Sequence, residues 1–264
     1  MSKISFKRKN LSIPYILFLL FFVVVPLGLI VVYALTDEAG HISLTNAISF
    51  FSNKNKIGLL SVSIIIGAIN TVICLLIGYP LAYLLSNKNY NKSAVIVFLF
   101  IMPMWINFVL RTAATRDLLY WIGLNGGDYP YFATVIGMAY NYLPFAILPL
   151  YSTMLKMDQN LIDASHDLGA NKRQTFFKTV LPMTKSGIVS AVLMVFMPTM
   201  SSFVISDVMG ERKIQLIGNT IQFNFDQMLW HEGSFIAFIM LAIIGIVALL
   251  TRNTKKDTVG GNLW

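Results

Sequence analysis

Charge is scarce in this 264-residue chain: 12% of its residues are Asp, Glu, Lys or Arg, against about 25% in soluble domains, while 56% are hydrophobic. That balance excludes a soluble globule, a disordered chain and a nucleic-acid-binding chain. Cysteine is scarcer still. Cys74 stands alone inside an apolar run, so an internal disulfide and a cysteine metal cluster are both excluded. His41, His166 and His231 fall in three separate segments and cannot form a metal triad within the chain. No P-loop, Gly-rich phosphate cradle or nucleophile elbow is present, so neither catalysis nor a resident cofactor is expected. No internal repeat is visible, which argues against a fold built from two halves of one chain.

The chain is rich in long apolar runs. A hydrocarbon core of about 30 Å needs roughly 20 apolar residues as a helix. Six stretches approach that length: Leu11–Leu35, Ile57–Leu85, Ala94–Leu110, Phe132–Leu155, Gly187–Ile205 and Ser234–Leu250. None contains a charged side chain, so each can cross lipid with its backbone bonds satisfied internally. The lack of intramembrane carboxylates also argues against a proton-driven carrier. The first stretch follows Lys3, Lys7, Arg8 and Lys9 as a secretory signal would. Its apolar part is too long and lacks a nearby cleavage site, so it is read as a retained span. The expected fold is an all-α membrane protein with six transmembrane helices.

Lys and Arg between the spans give orientation. With the N-terminus inside, the inner segments carry 14 of the 20 basic residues and four acids, and the outer segments carry six bases and eight acids. The net charge of +8 thus divides into +10 inside and −2 outside, with both termini cytoplasmic. Pro26, Pro80, Pro103, Pro144, Pro149 and Pro198 place a proline in every span but the last. Proline frees a carbonyl and bends a helix axis, which suits a transporter opening alternately to two sides. It is also simply commoner in membrane helices than in soluble ones.

The inner loop 156–185 has structure of its own. Leu161, Ala164, Ser165 and Leu168 recur at the spacing of a short amphipathic helix, and Gly169 can end it in the left-handed conformation. Asn171 is placed to cap a second helix over Lys172–Leu181, which Pro182 closes. Phe176, Phe177 and Val180 face membrane or protein there. The pattern alone leaves two readings: a surface that engages a partner, or an interfacial helix pair with Lys172, Arg173 and Lys178 on lipid phosphates.

Asp163-Ala164-Ser165, then Gly169-Ala170, then Leu181-Pro182 resemble the Glu-Ala-Ala…Gly…Ile-x-Leu-Pro signature of permease subunits of binding-protein-dependent ABC importers. Aspartate replaces glutamate at 163, serine replaces alanine at 165, and Thr179 replaces the isoleucine. Asn70-Thr71 and Gly78-x-Pro80-x-Ala82 are also similar to that family. The resemblance implies the type I importer permease fold in the cell membrane, with a tail over 1–10, a first helix over 11–35, a permease domain over 57–251 and a tail over 252–264. It further implies that Asp163, Ala164, Ser165, Leu168, Gly169, Ala170, Phe176 and Pro182 form a coupling loop. The implied partners are a dimeric ATPase that binds and hydrolyses the ATP, a second permease subunit and an extracytoplasmic binding protein.

Longer stretches resemble the B-type spermidine/putrescine permeases: Met102-Pro103-Met104-Trp105-Ile106-Asn107, Leu148-Pro149-Leu150-Tyr151-Ser152, Ser206-Asp207-Val208-Met209-Gly210 and Leu216-Ile217-Gly218-Asn219. The outer segment Arg111–Tyr131 looks shorter than theirs. A polyamine is a flexible polycation, so its path should offer aromatic faces, carboxylates and carbonyls. Trp105 is a candidate for a cation–π contact, or else an interface anchor. Asn107 offers an amide oxygen. Asp207 lies near the mouth, or is a solvated loop carboxylate, and Asp117 and Glu211 are further vestibule candidates. Arg111 reads as a lipid-phosphate or intersubunit contact rather than a ligand for a cation. Alternatives are an importer of another small solute, such as iron or thiamine, or a channel or interaction protein working without ATP.

Overall fold

The computed structural model describes residues 12–87 and 95–259. The expected tail over 1–10 lies outside the described residues, as do Lys88, Lys92 and the last five residues, 260–264, of the expected C-terminal tail. The described chain runs through α1 (Ile13–Ala34), α2 (Thr45–Ser52), α3 (Lys54–Ser86) and α4 (Val95–Ile101), the last continued by a tight turn, Met102–Trp105. It continues with α5 (Phe108–Trp121), α6 (Pro130–Met154), α7 (Gln159–Asp167) and α8 (Lys172–Met183). The last elements are α9 (Lys185–Ser201), α10 (Phe203–Met209), α11 (Ile217–Asp226) and α12 (Trp230–Val259). Among the described residues the only extended pairing is an isolated bridge between Thr36 and Ile42.

Helices α1, α3 and α6 and the Trp230–Leu249 part of α12 are each long and apolar enough to cross a membrane. Two more spans arise only if bent pairs count as one: α4 and its turn with α5, bent by 98°, and α8 with α9, bent by 65°. The stretch 94–110 is therefore not one continuous helix. Pro103 sits in the tight turn after α4, and Asn107 adopts φ −50° and ψ 124°, outside helical geometry. Its Oδ1 accepts the Val109 N–H at 2.9 Å, which restarts the helix as α5 and carries it on to Trp121. The fifth stretch differs as well. It starts at Lys185 and breaks at Ser202, where ψ is 97°, so that residues 203–209 form the separate α10.

Not every proline breaks its helix. Pro80, Pro144, Pro149 and Pro198 lie inside helices that continue through them. Pro26 and Pro182 each follow a widened turn, Leu20–Val24 and Phe176–Val180, by two residues. A proline lacks its N–H and crowds the carbonyl four residues back, and an extra residue in the preceding turn relieves both problems.

The chain divides into two compact units, 1–57 with 220–242, and 58–219 with 243–264. In the first, Lys56 Nζ pairs with Glu232 Oε2 at 2.7 Å, and the Phe50 ring packs 5.9 Å from that of Phe235. Among the described residues the second holds two apolar clusters. One gathers Ile66, Leu119, Met138, Ile205, Met209 and Leu216, and the other Cys74, Ala82, Ala146, Leu150, Ala191 and Val195. Between α3 and α9, Asn70 Nδ2 donates to Thr199 Oγ1 at 2.8 Å, satisfying two buried polar groups at once. Small residues permit the close approach: a Cβ on Gly67 would lie 3.1 Å from both Phe196 and Met200.

Candidate functional site

Two regions of the second unit carry the candidate chemistry. The loop 156–185 folds largely as its local signals dictate, although α8 runs through Pro182 to Met183 where the sequence pattern closes it at Leu181. Asp158 Oδ1 accepts the Asn160 N–H at 3.0 Å and caps α7. At the other end Gly169 takes φ +81°, the Gly169 N–H reaches His166 O at 2.9 Å, and the Ala170 N–H reaches Ser165 O at 3.1 Å. Asn171 and Gln174 then cap α8 reciprocally, each side chain 2.9 Å from the other's backbone N–H.

The two sides of α7 do different things. Ile162 is buried, and Ser165 Oγ lies 3.1 Å from Thr175 Oγ1, so this side ties α7 to α8. Leu161, Ala164 and Leu168 face away, and Leu168 is 88% exposed. Asp163 is exposed beside them and rims a cavity of about 510 Å³ with Tyr83 and Asn87. The Phe176 ring meets the edges of Tyr79 and Tyr83 on α3 at 5.7 and 6.5 Å. Tyr79 Oη lies 2.9 Å from Thr184 Oγ1, at the bend between α8 and α9. Of the two surroundings expected for Phe176, it is therefore protein that receives the ring. Pro182 is exposed two residues before the bend, and Ala170 is half-buried.

The second region is a cavity of about 460 Å³ where the restart of α5 faces α6 and α10. Trp105, Asn107, Arg111, Asn141, Tyr142 and Ile205 line it. Trp105 is 77% exposed at its edge. The Asn107 oxygen is engaged by the Val109 N–H, so its first duty is to cap α5. Arg111, expected at the outer end of a span, is instead only 7% exposed. Among the described residues its Nε and Nη1 have no hydrogen-bond partner, and its guanidinium carbon lies 5.8 Å from the Tyr140 ring centroid. Asn141 Nδ2 donates to Thr112 Oγ1 at 3.1 Å and to Gly137 O at 2.9 Å, while its Oδ1 is unpaired. The burial of Arg111 and the part played by Asn141 are not visible in the hydropathy pattern. The readable signal was Asn107 as a helix cap, which sets Arg111 one turn inside a new helix.

Asp207 lies on α10, two residues after the cavity-lining Ile205. Asn219 Nδ2 donates to its Oδ1 at 2.6 Å, and Asn219 Oδ1 accepts from Ser206 Oγ at 3.0 Å and the Leu216 N–H at 2.8 Å. Burial raises the Asp207 carboxyl above its ordinary range, against the opposing pull of the Arg212 charge and the Asn219 hydrogen bond. Asp117 stands apart from this cavity. It pairs with the adjacent Arg116 at 2.8 Å and lines a separate cavity with Tyr120 and Trp121. Glu211 is exposed in a turn with φ +49°.

The chain is 31% identical to the spermidine/putrescine transport system permease protein PotB of Haemophilus influenzae, across 97% of each chain. It is 34% identical to PotB of Escherichia coli over 69% of this chain and 72% of that one. A chain of a bacterial alginate ABC transporter, solved with a periplasmic protein carrying an alginate pentasaccharide, superposes with a TM-score of 0.68. That superposition covers 95% of this chain and 94% of the other at 13% identity, and so concerns the fold alone. Residues 4–253 match the family of binding-protein-dependent transport system inner membrane components. With that match spanning nearly the whole chain, and a relative 31% identical end to end, this protein belongs to that family and is a membrane-embedded permease.

Proposed function

We propose that the chain is one of two permease subunits of an ATP-driven importer of polyamines, spermidine or putrescine. The observation that carries this reading is the similarity to PotB over 97% of both chains. The chain would enclose the path with a second permease and receive cargo from an extracytoplasmic binding protein. Two copies of an ATPase would dock on the inner face. Both termini are cytoplasmic in this reading, with the loop 156–185 inside.

The mechanism couples two ends of one unit. The outward stripe of Leu161, Ala164 and Leu168, with Asp163 beside it, offers a small apolar face to the ATPase. Gly169 and the Asn171–Gln174 cap make α7 and α8 move as a body, where a flexible loop would absorb the stroke. Phe176 against Tyr79 and Tyr83 passes the displacement to α3, and the bend at Thr184 passes it to α9. At the other end Trp105 presents its ring to an ammonium group, an attraction of about 0.5–2 kcal/mol. Asp207, fixed by Asn219, supplies a negative charge near the mouth. Asp117 and Glu211 act at most as vestibule charges that concentrate a polycation.

The test is uptake of radiolabelled spermidine and putrescine into proteoliposomes holding the assembled transporter, with binding protein outside and ATP inside. ATP-dependent accumulation is expected, reduced by Trp105→Ala and by Asp207→Asn. Accumulation without ATP, or none of either polyamine in an assembly that hydrolyses ATP, would overturn the reading.

A further inference from the structure

We propose that Arg111 is the docking point for a membrane-embedded carboxylate of the companion permease subunit. This rests on the reading above that a second permease pairs with this chain. Arg111 is nine-tenths buried, lines the cavity of about 460 Å³, and among the described residues leaves Nε and Nη1 without partners. A buried guanidinium with unmet donors is costly, and it is stabilised when an anion takes both a charge-assisted hydrogen bond and the charge. A guanidinium does not resolve the problem by releasing a proton. Among the described residues no Asp or Glu forms an ion pair with it. The chain has 12 acidic residues, none of them within the six apolar stretches. Tyr140 supplies a ring face at 5.8 Å, which attracts the cation without neutralising it. The anion must therefore come from another molecule.

The surroundings favour a protein carboxylate. Ile106 and Phe108, which line the cavity, are 54% and 46% exposed. This uncovered apolar rim around a desolvated charge has the make-up of an interface core. Asn141 Oδ1, also buried and unpaired, offers an acceptor to a donor from the same incoming helix. A bare cation on the route of a polycation would repel it. Pairing with the companion's carboxylate removes that repulsion and fixes the register of the two permeases. A lipid phosphate is the other anion a membrane provides, but a site this buried is poorly matched to a headgroup.

The experiment uses the full assembly with an affinity tag on this chain. Arg111→Met, which keeps length and apolar surface, should lower recovery of the companion permease by at least about tenfold, because it strands the companion's carboxylate. Arg111→Lys should retain part of the recovery. Arg111→Asp should be rescued by changing one acidic residue in the companion's membrane segments to arginine. Rescue by such an exchange establishes the pair even if Arg111→Met folds poorly. Wild-type recovery with Arg111→Met overturns the proposal, as does failure of every exchange to rescue Arg111→Asp. Recovery that tracks anionic phospholipid content rather than any companion carboxylate overturns it too. The readout involves neither polyamine nor ATP, so a wrong substrate assignment leaves it intact. A wild-type chain that recovers no companion would instead sink the paired-permease reading.

Discussion

Asp207 sits under opposed influences, and its titration is the most direct residue-scale test of the path. Burial raises its pKa, whereas the Arg212 charge and the Asn219 hydrogen bond lower it. An ammonium is attracted only by the ionised carboxylate, so uptake should fall as pH drops through this raised value. Arg212→Gln removes one of the lowering influences and leaves the packing of α10 alone. Protonation then starts at a higher pH, and the acid limb of uptake should move upward. Asp207→Asn should abolish the limb. An acid limb that Arg212→Gln leaves in place would remove Asp207 from the path. Asn70 tests packing instead. Replacing it with leucine breaks its 2.8 Å bond to Thr199 and should cost about 1 kcal/mol, read as a lower Tm in detergent. An unchanged Tm would show that the bond does not stabilise the α3–α9 contact. The resemblance together with residue chemistry marked Trp105 and Asp207 as candidates for a polyamine path. It could not reveal that Asn219, 12 positions later, holds Asp207, because that pairing is made by the fold.

At the scale of elements, the loop 156–185 was readable because its signals are local. A cap, a glycine and a proline lie within a few residues of the turns they specify. The break after α4 was less readable. Hydropathy continues smoothly from Ala94 to Leu110, while the chain turns by 98° at Ile106–Asn107. Only the pairing of Pro103 with a capping Asn107 signals the turn, and a hydropathy window averages over it. Gly169 allows the local logic to be tested. Its φ is +81° and a Cβ there would meet nothing within 4 Å, so substitution is opposed by backbone conformation and not by space. Asparagine tolerates the left-handed region, whereas a β-branched residue pays about 1–2 kcal/mol. Gly169→Asn should therefore keep most ATP-driven uptake, and Gly169→Val should lose it together with recovery of the ATPase. Equal loss in both variants would mean that bulk against the ATPase, and not the helix end, is what matters.

At the scale of the whole molecule, the stripe on α7, the α3 ring contacts, the bend into α9 and the Trp105 cavity all belong to the unit containing residues 58–219. In the proposed mechanism a displacement applied at α7 is therefore carried within a single unit. The route has a narrow point at Phe176, whose ring bridges α8 to Tyr79 and Tyr83. Phe176→Ala removes that bridge and leaves the outward stripe of Leu161, Ala164 and Leu168 and the end at Gly169 unchanged. ATPase docking should survive, because the docking face is intact. The stroke should be spent in the gap left by the ring, so spermidine transported per ATP hydrolysed should fall several-fold while hydrolysis continues. Lys56→Met in the other unit breaks the 2.7 Å pair with Glu232 and serves as the contrast: it should change stability and leave the transport-to-hydrolysis ratio as it is. The ratio is measured in proteoliposomes by following labelled spermidine and released phosphate together. If Phe176→Ala lowers both in proportion, the ring holds the permease together without transmitting motion, and the lever has to run through the bend at Thr184 alone.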